Sequence, residues 1–311
     1  EIAKAVSAAL KCPVSSVFMA STGVIGEKLN YKKIITKIPK MSENLKEGNW
    51  NKAATAITTT DTFPKGASEV ALIGNKKIQI TGIAKGSGMI APNMATMLSF
   101  IFTDANIPSN ILQTLLSRNV QNTFNAITVD SDASTSDTLL LFATGAAKSI
   151  APTSADDPVL KDFELGLQSV MLNLAKQIVC DGEGAQKLIQ VNVTGANSKK
   201  SAHKIGLAIA NSPLVKTAIA GGDANWGRVV MAVGKSGEKA NPDKISVCFG
   251  KTTIAEKGAV VEGYDEAPVT EHLQGREIHI TVDVGLGNGK STVWTCDLTH
   301  GYIEINADYR S

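Results

Sequence analysis

The chain is 311 residues long, 43% hydrophobic and 5% aromatic, with a formal net charge of +2. That length and apolar content suffice for a sizeable core in one large domain or two smaller ones. The near-zero charge and scarce aromatics exclude the basic, base-stacking surface of a nucleic-acid binder, and no apolar run is long enough to span a bilayer.

Ile2–Leu10 reads as a helix. Because the chain opens inside that pattern at Glu1, a segment upstream is expected. Residues 14–20 read as a short buried strand running into the turn-rich Ser21-Thr22-Gly23, and the polar stretch 40–51 as a loop followed by a surface helix. Residues 77–83 alternate as a strand just before a glycine-rich stretch, and 97–102 form a second apolar strand. Residues 107–120 read as a helix opened by Pro108 and Ser109. Residues 138–144 form a third strand, apolar enough for burial on both faces.

The clearest helix is 158–179. Asp156 or Asp157 can cap it, and Pro158 suits its first turn. Leu160, Phe163, Leu167, Val170, Met171, Leu174 and Ile178 recur at three- and four-residue spacing, so one face packs on a core. It stops at Asp181-Gly182-Glu183-Gly184, where glycine permits a left-handed end. Ile189, Val191 and Val193 alternate as a strand. Helical stretches at 204–210 and 214–220 precede a glycine-rich 221–227, and the tail reads as strands at 278–284, 292–298 and 302–305. The whole is mixed α/β, with β-sheets covered by helices.

Several motifs are weak. Cys12, Cys180, Cys248 and Cys296 are far apart and His203, His272, His279 and His300 form no H-E-x-x-H, so neither a disulfide framework nor a metal centre is expected. Gly285 to Thr292 approximates a P-loop, but Val284 stands where its first glycine belongs and a β-like stretch follows; a hairpin loop is expected instead. Asp130, Asp132 and Asp137 lack the glycine and glutamate of a calcium loop, since Thr135 and Leu141 stand in those places; turn formation and hydrogen bonding are expected of them, with a contact to the active site next. Asn225-Trp226-Gly227-Arg228 reads either as a structural turn or as a stacked ligand site.

The most informative stretch runs from Lys85 to Leu98: Lys85-Gly86-Ser87-Gly88-Met89-Ile90-Ala91-Pro92-Asn93-Met94-Ala95-Thr96-Met97-Leu98. A threonine preceded by the small Ala95 opens an apolar strand. Such a hydroxyl can attack the preceding carbonyl, given a strained peptide and donors for the oxyanion. Hydrolysis of the resulting ester frees the Thr96 α-amino group. Its ordinary pKa of roughly 7.7–8.0 lets it act as base toward the adjacent hydroxyl. From the pattern alone, an ordinary loop-to-strand junction stands beside this reading.

This stretch resembles the self-processing motif of the ornithine acetyltransferase family, the bifunctional glutamate N-acetyltransferases of arginine biosynthesis. Six further segments match in order: Ala20 to Gly26; Thr58-Thr59-Thr60-Asp61-Thr62 with Pro64-Lys65; Asp181 to Ala185; Asn211 to Thr217; Asn225 to Arg228; and Asn306 to Ser311. Any one is weak; together they span the chain. Ala224 stands where proline is more usual, and Ser311 replaces a frequent threonine while keeping the hydroxyl.

The resemblance implies a two-domain α/β fold with β-sheets sandwiched between helices. It implies cleavage between Ala95 and Thr96, giving portions 1–95 and 96–311, the second with a subdomain from about residue 186. Thr96 is then the nucleophile, with the Thr22 hydroxyl and Gly23 amide as oxyanion hole. Lys85 would pair with the substrate α-carboxylate. Thr59 or Thr60 would hydrogen-bond substrate, with the register along Thr58-Thr59-Thr60 open by one. Glu183, Asn306 and Ser311 complete the substrate site. Acetyl passes from N-acetylornithine to Thr96 and then to glutamate, with no cofactor or metal; acetyl-CoA as a second donor is left open. The fragments are expected to stay associated as a heterotetramer of two of each, in the cytoplasm, without nucleic-acid or membrane partners. Two rivals are a self-cleaving aminopeptidase, in which water takes the acyl group, and a non-catalytic metabolite-binding protein.

Overall fold

The structure is a computed structural model that describes residues 1–24, 26–91 and 97–308. Ala95, Thr96 and Ser311 lie outside the described residues.

The chain opens with four short helices: α1 (Ile2–Leu10), α2 (Tyr31–Ile35), α3 (Ile38–Glu43) and α4 (Trp50–Ala56). The expected strand at 14–20 is absent; Val14–Ser16 is a 3-10 turn, and Val14, Phe18 and Met19 are exposed rather than buried. Residues 14–20 pair with no strand of either sheet among the described residues, so the apolar pattern has no ladder to join. The helix α3 also occupies part of the polar stretch expected to begin as a loop.

Two sheets follow. The first contains β1 (Lys65–Ile73), β2 (Lys76–Lys85), β3 (Leu98–Thr103) and β4 (Thr138–Ala143), in the order β1-β2-β3-β4. β1, β2 and β3 are antiparallel neighbours, and β4 runs parallel to β3. Helix α5 (Ser109–Val120) makes that parallel crossover. β4 is the sheet edge, and of its residues only Leu139 is buried, so the expectation of burial on both faces fails there. Phe142 of β4 stacks on its neighbour Phe102 of β3 at 5.1 Å, and Phe18 lies edge-on to Phe142 at 5.7 Å.

The long helix α6 (Lys161–Cys180) is preceded by a 3-10 turn whose Asp157 carboxylate accepts the Val159 amide at 3.1 Å. Its apolar stripe is buried, each full burial contributing roughly 1.5–3 kcal/mol. The helix presses onto β1 and β2 and also reaches the second sheet. Gly82 permits that close approach, since a Cβ there would lie 2.8 Å from Leu174.

The second sheet has the order β10-β5-β9-β6-β7-β8, with β5 (Leu188–Ala196), β6 (Ser246–Phe249), β7 (Thr252–Glu256), β8 (Ala259–Val260), β9 (Glu277–Asp283) and β10 (Gly289–Cys296). Helices α7 (Lys199–Ala210), α8 (Pro213–Ala220), α9 (Trp226–Lys235) and α10 (Glu266–Gln274) lie between these strands in sequence, and α7 packs on β5 and β10. The segment after β9 is not a hairpin loop. β9 and β10 both pair with β5, so the chain crosses over the end of β5. Asn225, expected in a turn or ligand site, caps α9 by accepting the Arg228 amide at 3.1 Å.

Residues 302–305, expected as a strand, belong to α11 (His300–Asp308). The alternating Ile303 and Ile305 are exposed, so no sheet claims them. Thr299 starts the helix instead: its hydroxyl donates to the Gly184 carbonyl at 2.6 Å and accepts the Gly301 amide at 3.2 Å. One connected apolar core runs through both sheets and the helices against them. Among the described residues no helix is long and apolar enough to cross a membrane.

Candidate active site

Strand register builds the site. Lys85, the last residue of β2, lies opposite Leu98, the first of β3, and Leu98 lies opposite Thr138, the first of β4. The next row beyond the sheet is therefore Gly86, Met97 and Asp137. The connection 86–97, which carries the self-processing motif, starts and finishes at this end.

Carboxylates hold its flanks. Asp61 accepts the Gly86 amide at 2.6 Å. Asp130 accepts the Met89 and Ile90 amides at 2.7 and 2.9 Å. Asp137 accepts the Met97 amide at 2.8 Å, and the Thr138 amide donates back to the Met97 carbonyl at 3.0 Å. Charged acceptors on backbone amides are among the stronger hydrogen bonds, so both approaches to the segment are fixed. The three acids stand in two loops: Asp61 after α4, and Asp130 with Asp137 before β4.

Beneath them lies a buried ion network. Lys65, the first residue of β1, is wholly buried, with its Nζ 2.6 Å from Asp61 and 2.5 Å from Asp181 at the end of α6. Asp181 also accepts the Thr62 amide at 3.0 Å and the Thr62 hydroxyl. Burial raises the Asp61 carboxyl, but hydrogen bonds from Gly86, Lys65 and Thr59 outweigh it and leave it below the usual range. Lys85 is buried, and desolvation lowers its pKa against the attraction of Asp61 and Asp137. Desolvation raises Asp130 despite its amide partners. Desolvation pushes Asp137 up to about 7, opposed by the Met97 amide and the Lys85 charge.

Four of the expected site residues gather around 85–88. The Thr60 hydroxyl is 2.6 Å from that of Ser87. Glu183 donates its amide to the Ser87 carbonyl at 3.3 Å, and its carboxylate accepts from Asn306 Nδ2 at 2.8 Å. Gly88 leaves room for that carboxylate, because a Cβ there would lie 2.6 Å from it. Lys85 begins the same segment. Thr59 contributes its amide to Asp61 at 3.0 Å, and the Thr58 hydroxyl bonds back to Thr55 at 2.8 Å. Of the three threonines, Thr60 is therefore the one whose hydroxyl is held to the segment.

Thr22 and Gly23 are not drawn into this cluster by any hydrogen bond among the described residues. Thr22 is half-buried; Gly23 is exposed, with nothing within 4 Å of a Cβ placed on it. Among the described residues, no group of three or more His, Cys, Asp or Glu could hold a metal ion.

Sequence reasoning passed over Lys65, Ser87 and Asp181 as site builders, and Asp61 as an anchor. The triple acid of 130–137 was read as turn and hydrogen-bonding residues, which fits their amide partners. The available signal for the rest was burial: a lysine and two aspartates in apolar surroundings must pair, but their separation in sequence hides the pairing.

A family model for the ArgJ family matches residues 1–311. The chain is 58% identical over 311 residues to the arginine biosynthesis bifunctional protein ArgJ of Gluconobacter oxydans, covering 100% of this chain and 73% of that protein. It is 55% identical over 312 residues to the protein of the same name from Brucella suis, covering 99% and 76%. Among solved structures it is similar to the arginine biosynthesis bifunctional protein argJ of Bacillus halodurans, with a TM-score of 0.65 and 42% identity over 68% of this chain and 98% of that chain. The match in sequence over its full length and the match in fold place this chain in the ArgJ family.

Proposed function

We propose that this protein is a glutamate N-acetyltransferase. It cleaves itself between Ala95 and Thr96, and then moves acetyl from N-acetylornithine to glutamate through an ester on Thr96. The observation that carries this reading is the gathering of Thr60, Lys85, Glu183 and Asn306 around the segment that leads into Thr96. Membership of a family whose relatives are named for arginine biosynthesis supports it.

The chemistry follows from the parts. A buried lysine offers a fixed cation for the α-carboxylate shared by acetylornithine and glutamate, strengthened by low local dielectric. Glu183, oriented by Asn306, faces the amino end of the same substrates. Thr22 and Gly23 are assigned as the oxyanion donors on the resemblance of their segment to that of the family, each such donor being worth roughly 3–4 kcal/mol of barrier. The covalent ester divides one amide-to-amide exchange into two easier steps, and it requires no cofactor. Acetyl-CoA serves as a second donor if the site tolerates a thioester leaving group.

Portions 1–95 and 96–311 remain associated after cleavage, because the break falls in the β2–β3 connection and leaves the β2–β3 ladder intact. The Bacillus halodurans chain, matched over about two thirds of this one, has nearly the length of 96–311, which supports the same division. The assembly contains two copies of each portion. An aminopeptidase of similar design is not favoured, since it has no need of a second amino acid held by Lys85 and Glu183.

Intact mass spectrometry of the protein incubated with N-acetylornithine tests the reading. Two fragments and one acetyl adduct on the Thr96 fragment are expected, and Thr96→Ala should remain in one piece without transfer activity. A cleaved, active Thr96→Ala variant would refute it.

A further inference from the structure

We propose that Lys216 is a positioning residue of the substrate site: from α8 its Nζ holds the Val129 carbonyl, and through Val129 and Asp130 it sets where residues 87–90 stand against Glu183. This role rests on the reading above, in which Glu183 faces substrate, and adds to it a residue that acts from behind.

Lys216 belongs to the segment from Asn211 to Thr217, one of the stretches that carry the resemblance, to which the substrate reading gives no part. It is buried, yet among the described residues none of the ion pairs includes it. A lysine is seldom fully buried without a carboxylate, because its polar head must find partners. Here the Nζ donates to the Val129 carbonyl and to the Thr295 hydroxyl at 3.2 Å, with Cys296 Sγ 3.9 Å away. Methionine would fill similar space with no such need, so what the lysine adds is its hold on that carbonyl. Lys187 also donates to two carbonyls, those of Ile219 and Leu273, but these belong to α8 and α10 rather than to a loop of the site.

The hold is passed on through short links. The peptide between Val129 and Asp130 is planar, so fixing the Val129 oxygen fixes where Asp130 begins. The Val129 amide donates to the Ile90 carbonyl at 2.8 Å, and the Asp130 carboxylate accepts the Met89 and Ile90 amides. Asn211, just before α8, ties down the same loop by accepting the Thr128 hydroxyl at 2.7 Å. Residues 89–90 are thus held by 129–130, which are held in turn by the 211–216 segment.

The other wall of the site rests on the same spot. Gly182 leads into Glu183, and a Cβ there would stand 2.9 Å from Cys296 Sγ and 3.2 Å from Val129 Cγ1. Both Val129 and Cys296 are neighbours of the Lys216 Nζ. Ser87 and Gly88 then meet Glu183 directly, through the Glu183 amide on the Ser87 carbonyl at 3.3 Å and the carboxylate over Gly88. One buried amine therefore registers the two pieces of chain between which Glu183 is placed.

Wild type, Lys216→Met and Asn211→Ala are compared in acetyl transfer from N-acetylornithine to glutamate, well below their melting temperatures, and in backbone hydrogen exchange. In Lys216→Met the KM for glutamate should rise about tenfold or more, with kcat per folded enzyme less affected, because a contact made by bound substrate is displaced. The Met89 and Ile90 amides should exchange about tenfold faster or more, while those of α6 keep their protection. A merely structural role would lower the melting temperature and the yield of active enzyme and leave KM unmoved. Asn211→Ala removes only the Thr128 tie, so both readouts should move the same way by about threefold or more, and this variant decides if Lys216→Met does not fold. A KM within about twofold of wild type, or unchanged exchange at Met89 and Ile90, overturns the proposal. Wild type that transfers no acetyl would instead sink the substrate reading, and the exchange comparison alone would then decide the positioning.

Discussion

Replacing Lys65 by Met isolates the network on which the site stands. Lys65 is fully buried and sits between two carboxylates, 2.6 Å from Asp61 and 2.5 Å from Asp181. Methionine fills most of the volume but leaves two facing buried acids without a cation. Breaking a buried pair from one side costs about 3–5 kcal/mol. At roughly 2 °C per kcal/mol for a chain of this size, the melting temperature should fall by about 6–10 °C. The pH dependence has a definite sign. In the wild type, Asp61 is depressed below its unfolded value, so its contribution is present above that value and is lost as pH falls through the folded one. Without Lys65, burial acts on Asp61 with less opposition and its protonation relieves the folded state. The deficit of Lys65→Met should therefore shrink between pH 7.5 and pH 4.5, and adding Asp181→Asn should recover part of it. Calorimetry of both variants at both pH values is the assay. A melting temperature within 2 °C of wild type at pH 7.5, or a deficit that does not shrink in acid, would refute the reasoning.

Two glycine substitutions should separate site geometry from stability. Gly88→Ala puts a Cβ 2.6 Å from the mobile carboxylate end of Glu183, so the melting temperature should hardly move while kcat/KM for transfer falls about tenfold or more; unchanged turnover would count against the role given to Glu183. Gly184→Ala is the opposite case. Its φ of +72° and a Cβ 2.4 Å from the Tyr302 amide set backbone against backbone, so a loss of at least about 2 kcal/mol in denaturant melts is expected, and a wild-type melt would show that α11 is not held there.

Much of the chemistry was legible before the fold. The run from Lys85 to Leu98 carries the self-cleavage proposed above as a local pattern, a small residue followed by a hydroxyl before an apolar strand, which alone stands beside an ordinary loop-to-strand junction and gains weight from the resemblance. The α6 stripe was equally readable, since Leu160 to Ile178 repeat at helical spacing whatever they pack against. What sequence could not supply was pairing over distance. The alternation at 302–305 reads as a strand because short apolar runs look alike in helix and strand, yet the structure forms a helix there that starts at the Thr299–Gly184 contact. The crossover between β9 and β10 looked like a hairpin because β5, the strand they share, lies nearly ninety residues away. The same holds for the site. Lys65, Asp61 and Asp181, and the row of Lys85, Leu98 and Thr138, meet only through strand register and helix packing. The residues proposed to react are named by the chain's local order, while the residues that hold the segment's flanks are chosen by which strand lies beside which, and that is settled by burial of the whole core.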